Sequence, residues 1–314
     1  MLHSCFNGIT NRHGLLLLTA VCPGGIHMEK IHLNGIASVG IAGLGLIGGS
    51  MARAVKTYTD CVVCGCDIDP AATEAALAQG AADRCAEDAS VFTDSDVVFV
   101  ALYPQQTIDF VKKNVTYFKP GCIIVDLCGV KRCTVHALSG ICTEYNLVFI
   151  GGHPMAGRET WGFSGSDADL FHGASMILTP DVHTPADAQT RLERLFHAVG
   201  FARITITTPE AHDSMIAFTS QLAHVVSSAY IKSPRAQMHS GFSAGSYRDL
   251  TRVAKLNPHM WTELFLDNAD DLCCEIDTII SHLQEFKTAI AAHDGETLYR
   301  LLDEGRAIKE ALDR

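Results

Sequence analysis

Ser38-Val39-Gly40-Ile41-Ala42-Gly43-Leu44-Gly45-Leu46-Ile47-Gly48-Gly49 is the stretch that decides the fold of this chain. An apolar run passes directly into glycines spaced Gly-x-Gly-x-x-Gly, and a helical pattern follows. Strand, tight turn and helix in succession are the context in which that spacing acquires meaning. Gly43 suits the turn, Gly45 lets a pyrophosphate approach the backbone, and Gly48 lets helix and strand pack closely. The N–H groups of Leu46 and Ile47 stand at the start of the helix, where its dipole favours phosphate. Asp67 closes the next apolar run, the place where a carboxylate receives the adenosine ribose hydroxyls and repels a 2′-phosphate. The expectation is an NAD site made by Gly43, Gly45, Leu46, Ile47, Gly48 and Asp67. An S-adenosylmethionine site also uses a glycine turn and an acid, but the fuller spacing and the helices downstream favour a dinucleotide.

The same alternation extends outward from this stretch. Apolar runs at 37–42, 61–66, 97–102, 122–127, 147–150, 175–178 and 202–205 predict strands, with helical patterns at 48–56, 70–79, 107–114 and 186–199 between them. Most runs are apolar throughout, as expected when helices cover both faces of a mostly parallel sheet. After Pro209 no further strand is predicted. One helix is expected over 209–230, and a second of about 33 residues from Pro258. The second carries Phe265, Ala269, Leu272, Ile276, Ile279, Leu283, Phe286 and Ile290 at alternating spacings of four and three. That heptad seam predicts packing against another long helix, most simply from a second subunit; an intrachain hairpin with 296–313 is the alternative. The expected architecture is a doubly wound α/β Rossmann domain at 35–207, followed by an all-helical dimerisation domain at 208–314.

Composition narrows the function classes. The 314 residues are 47% hydrophobic and 19% charged, with a formal net charge of −11. This excludes a disordered chain and argues against nucleic-acid or anionic-membrane binding, both of which need a positive footprint. The run 15–21 sits at the short limit of a signal h-region, and Met28-Glu29-Lys30-Ile31 reads as a second start. Residues 1–34 are therefore expected to be an extension outside the fold. Twelve cysteines in a chain of this length, several inside strand-like runs, predict a reduced cytoplasmic protein. Cys61-Val62-Val63-Cys64-Gly65-Cys66 has a metal-like spacing but lacks a second Cys or His pair, so no metal is expected.

The catalytic candidate is His153, in Gly151-Gly152-His153-Pro154-Met155-Ala156-Gly157 after the fifth run. Ligands of open α/β sheets bind beyond the carboxyl ends of the strands, and a histidine there can take a proton while hydride leaves the same carbon. Arg248 and Arg252, four residues apart, would share a face if helical and form a small cationic patch; surface pairing with neighbours such as Asp249 is the alternative.

These segments, with Thr208-Pro209-Glu210-Ala211-His212-Asp213, Ser220-Gln221-Leu222-Ala223-His224, Ser246-Tyr247-Arg248-Asp249-Leu250-Thr251-Arg252-Val253-Ala254 and the run from Asn257 to Asn268, resemble the prephenate dehydrogenase family. The resemblance spans the chain from about Gly35 onward. It implies NAD-dependent oxidative decarboxylation of a dianion, prephenate, in tyrosine biosynthesis by a homodimer. It makes His153 the acceptor for the C4 hydroxyl and Arg252 the substrate-carboxylate ligand, with His224 and Trp261 lining the pocket. An arogenate dehydrogenase is the alternative within enzymes, and a non-catalytic NAD-sensing dimer the alternative outside them. A β-hydroxyacid dehydrogenase fits less well, since that group typically uses a lysine in its second domain. Three departures stand out. Asp126-Leu127-Cys128-Gly129-Val130-Lys131 puts Gly129 where the family often has a serine that assists the histidine, so water or another residue is expected to support His153. Gln221 and Ala223 replace the histidine and proline usual beside His224.

Overall fold

The computed structural model describes residues 30–313, together with a short antiparallel pairing of Ile9–Thr10 with Leu16–Leu17. Apart from that pairing, the run 15–21 and the start at Met28 lie outside the described residues. The chain divides into two units, Met1–His212 and Asp213–Arg314.

The first unit is built on one sheet of β1 (Ser38–Ala42), β2 (Val62–Cys66), β3 (Arg84–Ala86), β4 (Val97–Val100), β5 (Ile123–Asp126), β6 (Val148–Pro154), β7 (Ser175–Thr179) and β8 (Arg203–Ile206). Their order across the sheet is β8-β7-β6-β5-β4-β1-β2-β3. All neighbours are parallel except β6 and β7. Five helices connect them: α1 (Leu46–Tyr58), α2 (Pro70–Ala78), α3 (Pro104–Asn114), α4 (Arg132–Glu144) and α5 (Ala186–Ala198). Strands β1, β4 and β5 are buried at every position, which is why their sequences do not alternate. Val39, Ile41, Phe99, Ile123 and Val125 share one core, each contributing about 1.5–3 kcal/mol over exposure. Contacts begin ahead of Gly35, for Ile31 bridges Thr59 and Leu33 is buried.

Chain order reverses at β1, which has β2 on one side and β4 on the other. The crevice at the carboxyl ends of β1 and β4 is therefore the ligand position of a doubly wound sheet. The sequence reading leaves 84–86 and 132–144 without an element. β3 is a short edge strand with no apolar run. In α4 the buried Val135, Leu138 and Cys142 recur at helical spacing, but β-branched residues, Ser139 and Gly140 depress its intrinsic propensity.

β6 does not stop at Ile150. Its last parallel partner on β5 is Asp126, opposite Gly151, and from there Gly151–Pro154 pair antiparallel with β7. His153 thus lies in a strand extension, opposite Ile177, and not in the loop that the sequence suggested.

Helix α6 (Pro209–Ile216) starts in the first unit and runs into the second. A π turn over Ala217–Leu222 and then α7 (Ala223–Tyr230) continue it, so the single helix expected over 209–230 contains one wider turn. After α8 (Gly245–Thr251) and a short 3-10 turn at Arg252–Ala254 come α9 (Pro258–Asp267), α10 (Ala269–Ala291) and α11 (Gly295–Leu312). The long helix expected from Pro258 is broken at Asn268, which separates Phe265 from the rest of the heptad seam. A buried amide network sits at the break. The buried Gln221 amide donates to the Leu264 carbonyl (2.9 Å), the acceptor that the Asn268 N–H would use in a continuous helix. Asn268 in turn donates from its side chain to Gln221 (2.7 Å) and to the Asp213 carbonyl (2.8 Å). Among the described residues no helix is long and apolar enough to cross a membrane.

Candidate active site

The glycine loop leaves β1 at Gly43, whose φ of +86° requires glycine in practice. A Cβ at Gly43 would also lie 2.6 Å from the Ala101 carbonyl, at the end of β4. At Gly48 it would meet the Gly43 carbonyl at 1.8 Å, so helix and turn close on each other only without a side chain. Gly45 differs: a Cβ there meets nothing within 4 Å. It borders open space at the start of α1, where no side chain caps the helix and no acid stands in the first turn. Such a terminus offers uncapped N–H groups and positive dipole to an anion. Asp67 accepts from Leu44 N at 2.6 Å through one oxygen and from Asp69 N at 2.9 Å through the other. Each oxygen keeps a second lone pair for a ribose hydroxyl. The cradle fits a dinucleotide.

At the ends of β5 and β6 a fully buried ion pair holds the segment that carries His153. Lys131 Nζ donates to Asp126 Oδ2 and to the Gly152 carbonyl, the latter at 2.6 Å. Asp126 also accepts from Cys128 N (3.2 Å), Gly152 N (3.3 Å) and the Thr134 hydroxyl (3.3 Å). The backbone immediately before His153 is therefore tied down through both its carbonyl and its N–H. Gly151 and Gly152 have no room for side chains: a Cβ would lie 2.3 Å from Thr179 Oγ1 in one case and 2.7 Å from Met176 Cε in the other. His153 is half-buried, and its surroundings desolvate the ring. Burial, with His212 and Lys131 nearby, holds its pKa well below the ordinary histidine range. It is a neutral imidazole, as a base must be.

In the second unit His224 and Trp261 stack, with ring centroids 3.7 Å apart and planes at 28°. His224 Nδ1 donates to the Ser220 carbonyl (2.9 Å), so in the neutral ring Nε2 is the acceptor. Burial, and then the Arg252 charge, lower its pKa. Arg252 lies one helical turn beyond Arg248: its N–H bonds the Arg248 carbonyl at the end of α8, and both side chains are exposed.

A family model described as prephenate dehydrogenase, nucleotide-binding domain matches residues 51–205, and one described as prephenate dehydrogenase, dimerization domain matches residues 208–304. A cyclohexadienyl dehydrogenase of Zymomonas mobilis subsp. mobilis is 34% identical over 277 residues, covering 85% of this chain and 93% of its own. This chain belongs to the prephenate dehydrogenase family. It is accordingly an oxidoreductase, and its second unit carries the dimerization domain of the prephenate dehydrogenases. Among solved structures, prephenate dehydrogenase from A. aeolicus in complex with hydroxyphenyl propionate and NAD+ aligns with a TM-score of 0.77 at 26% identity, over 88% of this chain and 98% of its own. Synechocystis arogenate dehydrogenase aligns with a TM-score of 0.73 at 26% identity, over 88% and 99%.

In this chain the first unit carries the glycine loop, Asp67 and His153 at the carboxyl ends of its strands, while Arg248, Arg252, His224 and Trp261 belong to the second unit. Cys128, beside Gly129, points away: its thiol lies against Thr107 Oγ1 and the Leu102 carbonyl, both at 3.4 Å, and burial pushes its pKa far up. Sequence reasoning missed two residues. In the sequence Lys131 is only one member of a motif, yet it is the clamp on Gly152. The same holds for His212, whose Nε2 lies 2.9 Å from His153 Nδ1. The only signal for either was its presence in a segment that resembles the family.

Proposed function

We propose that this chain converts prephenate to 4-hydroxyphenylpyruvate by NAD-dependent oxidative decarboxylation, and that it works as a cytoplasmic homodimer. The observation that carries the reading is His153: a neutral, half-buried imidazole on a clamped backbone, at the carboxyl end of a sheet whose glycine cradle suits a dinucleotide. NAD+, when bound, supplies the acceptor for the hydride that leaves C4 of the ring. His153 draws the C4 hydroxyl proton as that carbon becomes electron-poor. The bond from C1 to its carboxylate breaks, carbon dioxide departs, and the electron pair left behind completes the aromatic ring. His153 returns its proton to the phenolic oxygen, so no net proton is consumed. Asp67 selects NAD over NADP by repelling a 2′-phosphate. Arg252 binds a substrate carboxylate through its planar fork, Arg248 adds positive charge on the same face, and His224 with Trp261 forms an aromatic wall.

Dimer formation is supported by the dimerization-domain match and by the outer faces of α10 and α11. Ile280, Leu283, Ile290, Leu302 and Ile308 are each more than half exposed, an apolar surface that a single chain rarely leaves in water. The Synechocystis arogenate dehydrogenase favours a second reading, conversion of arogenate to tyrosine. That substrate carries an amino group in place of the keto group, and the same residues would act on its ring.

The test is NADH formation from NAD+ with prephenate or arogenate, in the wild type, His153→Asn and Arg252→Ala. His153→Asn should lose about 10²-fold or more in kcat, and Arg252→Ala should raise KM for the substrate strongly. The reading fails if neither substrate is oxidised, or if His153→Asn keeps near-normal turnover. An unchanged KM in Arg252→Ala removes that residue from the carboxylate role.

A further inference from the structure

The His153 reading leaves open what fixes its tautomer. Gly129 offers no hydroxyl and Cys128 is turned to Thr107, so neither residue orients the ring. His212 does meet it: Nε2 of His212 lies 2.9 Å from Nδ1 of His153, with the ring planes at 62° and centroids 5.1 Å apart. His212 is only 2% exposed. Its place follows from the local sequence. Thr208 caps α6 by accepting from Ala211 N through its hydroxyl (3.2 Å) and from His212 N through its carbonyl (2.9 Å), and Pro209 suits the first turn. The helix start, and with it the direction of the His212 side chain, is fixed by Thr208-Pro209.

We infer that His212 is a positioning residue that holds His153 in the tautomer with its proton on Nδ1, leaving the Nε2 lone pair to accept the substrate's hydroxyl proton. The inference rests on the base role proposed for His153. Two neutral imidazoles can share the 2.9 Å bond in only two ways. If His212 donates, His153 carries its own proton on Nε2 and cannot act as a base there. If His153 donates, Nε2 is free to do so, and His212 keeps its proton on Nδ1. Once His153 has taken the substrate's proton, its Nδ1–H bond to His212 becomes charge-assisted and stronger. Lys131, paired with Asp126 and bonded to the Gly152 carbonyl, is the other ionic group beside the ring. Its positive charge opposes a lasting imidazolium and favours return of the proton to the product.

The experiment compares wild type, His212→Leu, His212→Gln and His153→Asn, each with NAD+ and prephenate, and records side-chain 15N spectra of the NAD-bound enzyme. His212→Leu removes the acceptor; His212→Gln replaces it with an amide oxygen. The expected result is a fall in kcat of roughly 10- to 1000-fold in His212→Leu, as when a histidine base loses the partner that sets its tautomer. Both KM values should stay within about twofold, the pattern of an interaction that acts on the chemical step. His212→Gln should recover most of the loss. In the spectra, His153 Nε2 should resonate as an unprotonated nitrogen in wild type and His212→Gln, and as a protonated one in a large share of His212→Leu. The inference is overturned if His212→Leu keeps wild-type kcat and tautomer while His153→Asn is inactive. Should His212→Leu fail to fold, His212→Gln decides: near-wild-type kcat and tautomer uphold the role, and loss of both ends it. Near-normal turnover in His153→Asn would instead refute the underlying base assignment.

Discussion

Replacing Lys131 with methionine separates the two things the buried Lys131–Asp126 pair does. The pair is fully buried on both sides. Lys131→Met strips the charge but keeps a stem of similar length, which matters because Lys131 Cδ lies 3.1 Å from where a Gly151 Cβ would be. It leaves the Asp126 carboxylate buried with three longer bonds, from Cys128 N (3.2 Å), Gly152 N (3.3 Å) and Thr134 Oγ1 (3.3 Å). Removing one partner of a buried pair costs about 3–5 kcal/mol, and three remaining donors place the cost near 3 kcal/mol. For a unit of this size each kcal/mol moves Tm by about 2–4 °C, so Lys131→Met should melt about 6–12 °C lower.

The double variant Lys131→Met/Asp126→Asn tests the cause. It leaves no buried charge, and an amide oxygen in the place of Oδ2 can still accept from Cys128 N and the Thr134 hydroxyl, while the Gly152 N–H on the other side loses its acceptor. It should regain at least half of the lost Tm, since a buried pair is often replaced by neutral groups at little cost. Activity should not return with it, because the Gly152 carbonyl has lost its bond to Nζ in both variants and His153 is the next residue. Thermal melts and NADH-linked turnover on the same preparations give the two readouts. The reasoning is refuted if the double variant is no more stable than the single one, or if Lys131→Met shifts Tm by less than about 2 °C.

Two further predictions concern the cofactor cradle and pH. Gly45→Ala, whose new methyl enters open space, should leave Tm unchanged and raise KM for NAD roughly tenfold or more by standing where the pyrophosphate approaches; Gly48→Ala, whose methyl would lie 1.8 Å from a backbone carbonyl, should destabilise the first unit itself. In pH, His153 and His224 both have folded pKa values below the ordinary 6.5, so between those values and 6.5 the unfolded chain binds more protons. Stability is then full above about pH 6.5 and declines as pH falls toward pH 5. Urea midpoints at several pH values check this, and a slope just as steep in His153→Asn as in wild type would contradict the part assigned to His153.

How much of this was legible in the sequence follows from which forces are local. The glycine loop was legible because turn, close approach and helix packing each impose glycine at a fixed offset, and Gly43 and Gly48 meet those demands. Strands β1, β4 and β5 were legible because burial on both faces leaves an uninterrupted apolar run. β3 was not, since three residues at a sheet edge carry too little pattern, and α4 was hidden by residues of low helix propensity. The Pro258 helix failed for a different reason. Its heptad spacing is genuine, and no residue between Phe265 and Ala269 is a strong breaker. At the break the contacts come from a distant segment: Gln221 donates to the Leu264 carbonyl and receives the Asn268 amide.

The same distinction explains the site. His153 could be found from sequence because its position relative to a strand end is a local property. Lys131 and His212 act on it across 21 and 59 positions of chain, through contacts that exist only once β5, β6 and α6 are assembled. Nor does their chemistry advertise itself. A lysine neutralised by Asp126 adds nothing to the charge balance of an acidic chain, and a buried histidine is ordinarily a core residue. In the proposed mechanism these two groups decide whether His153 can act as a base. Lys131 fixes the backbone before it and opposes its lasting protonation, and His212 accepts the hydrogen bond from Nδ1–H. Gly129 carries no hydroxyl and the Cys128 thiol is turned to Thr107, whereas the His212 ring meets His153 directly. On the proposed reading the orienting contact comes from α6, whose first turn Thr208-Pro209 pins, and the competence of a strand residue as a base comes to depend on where a helix begins.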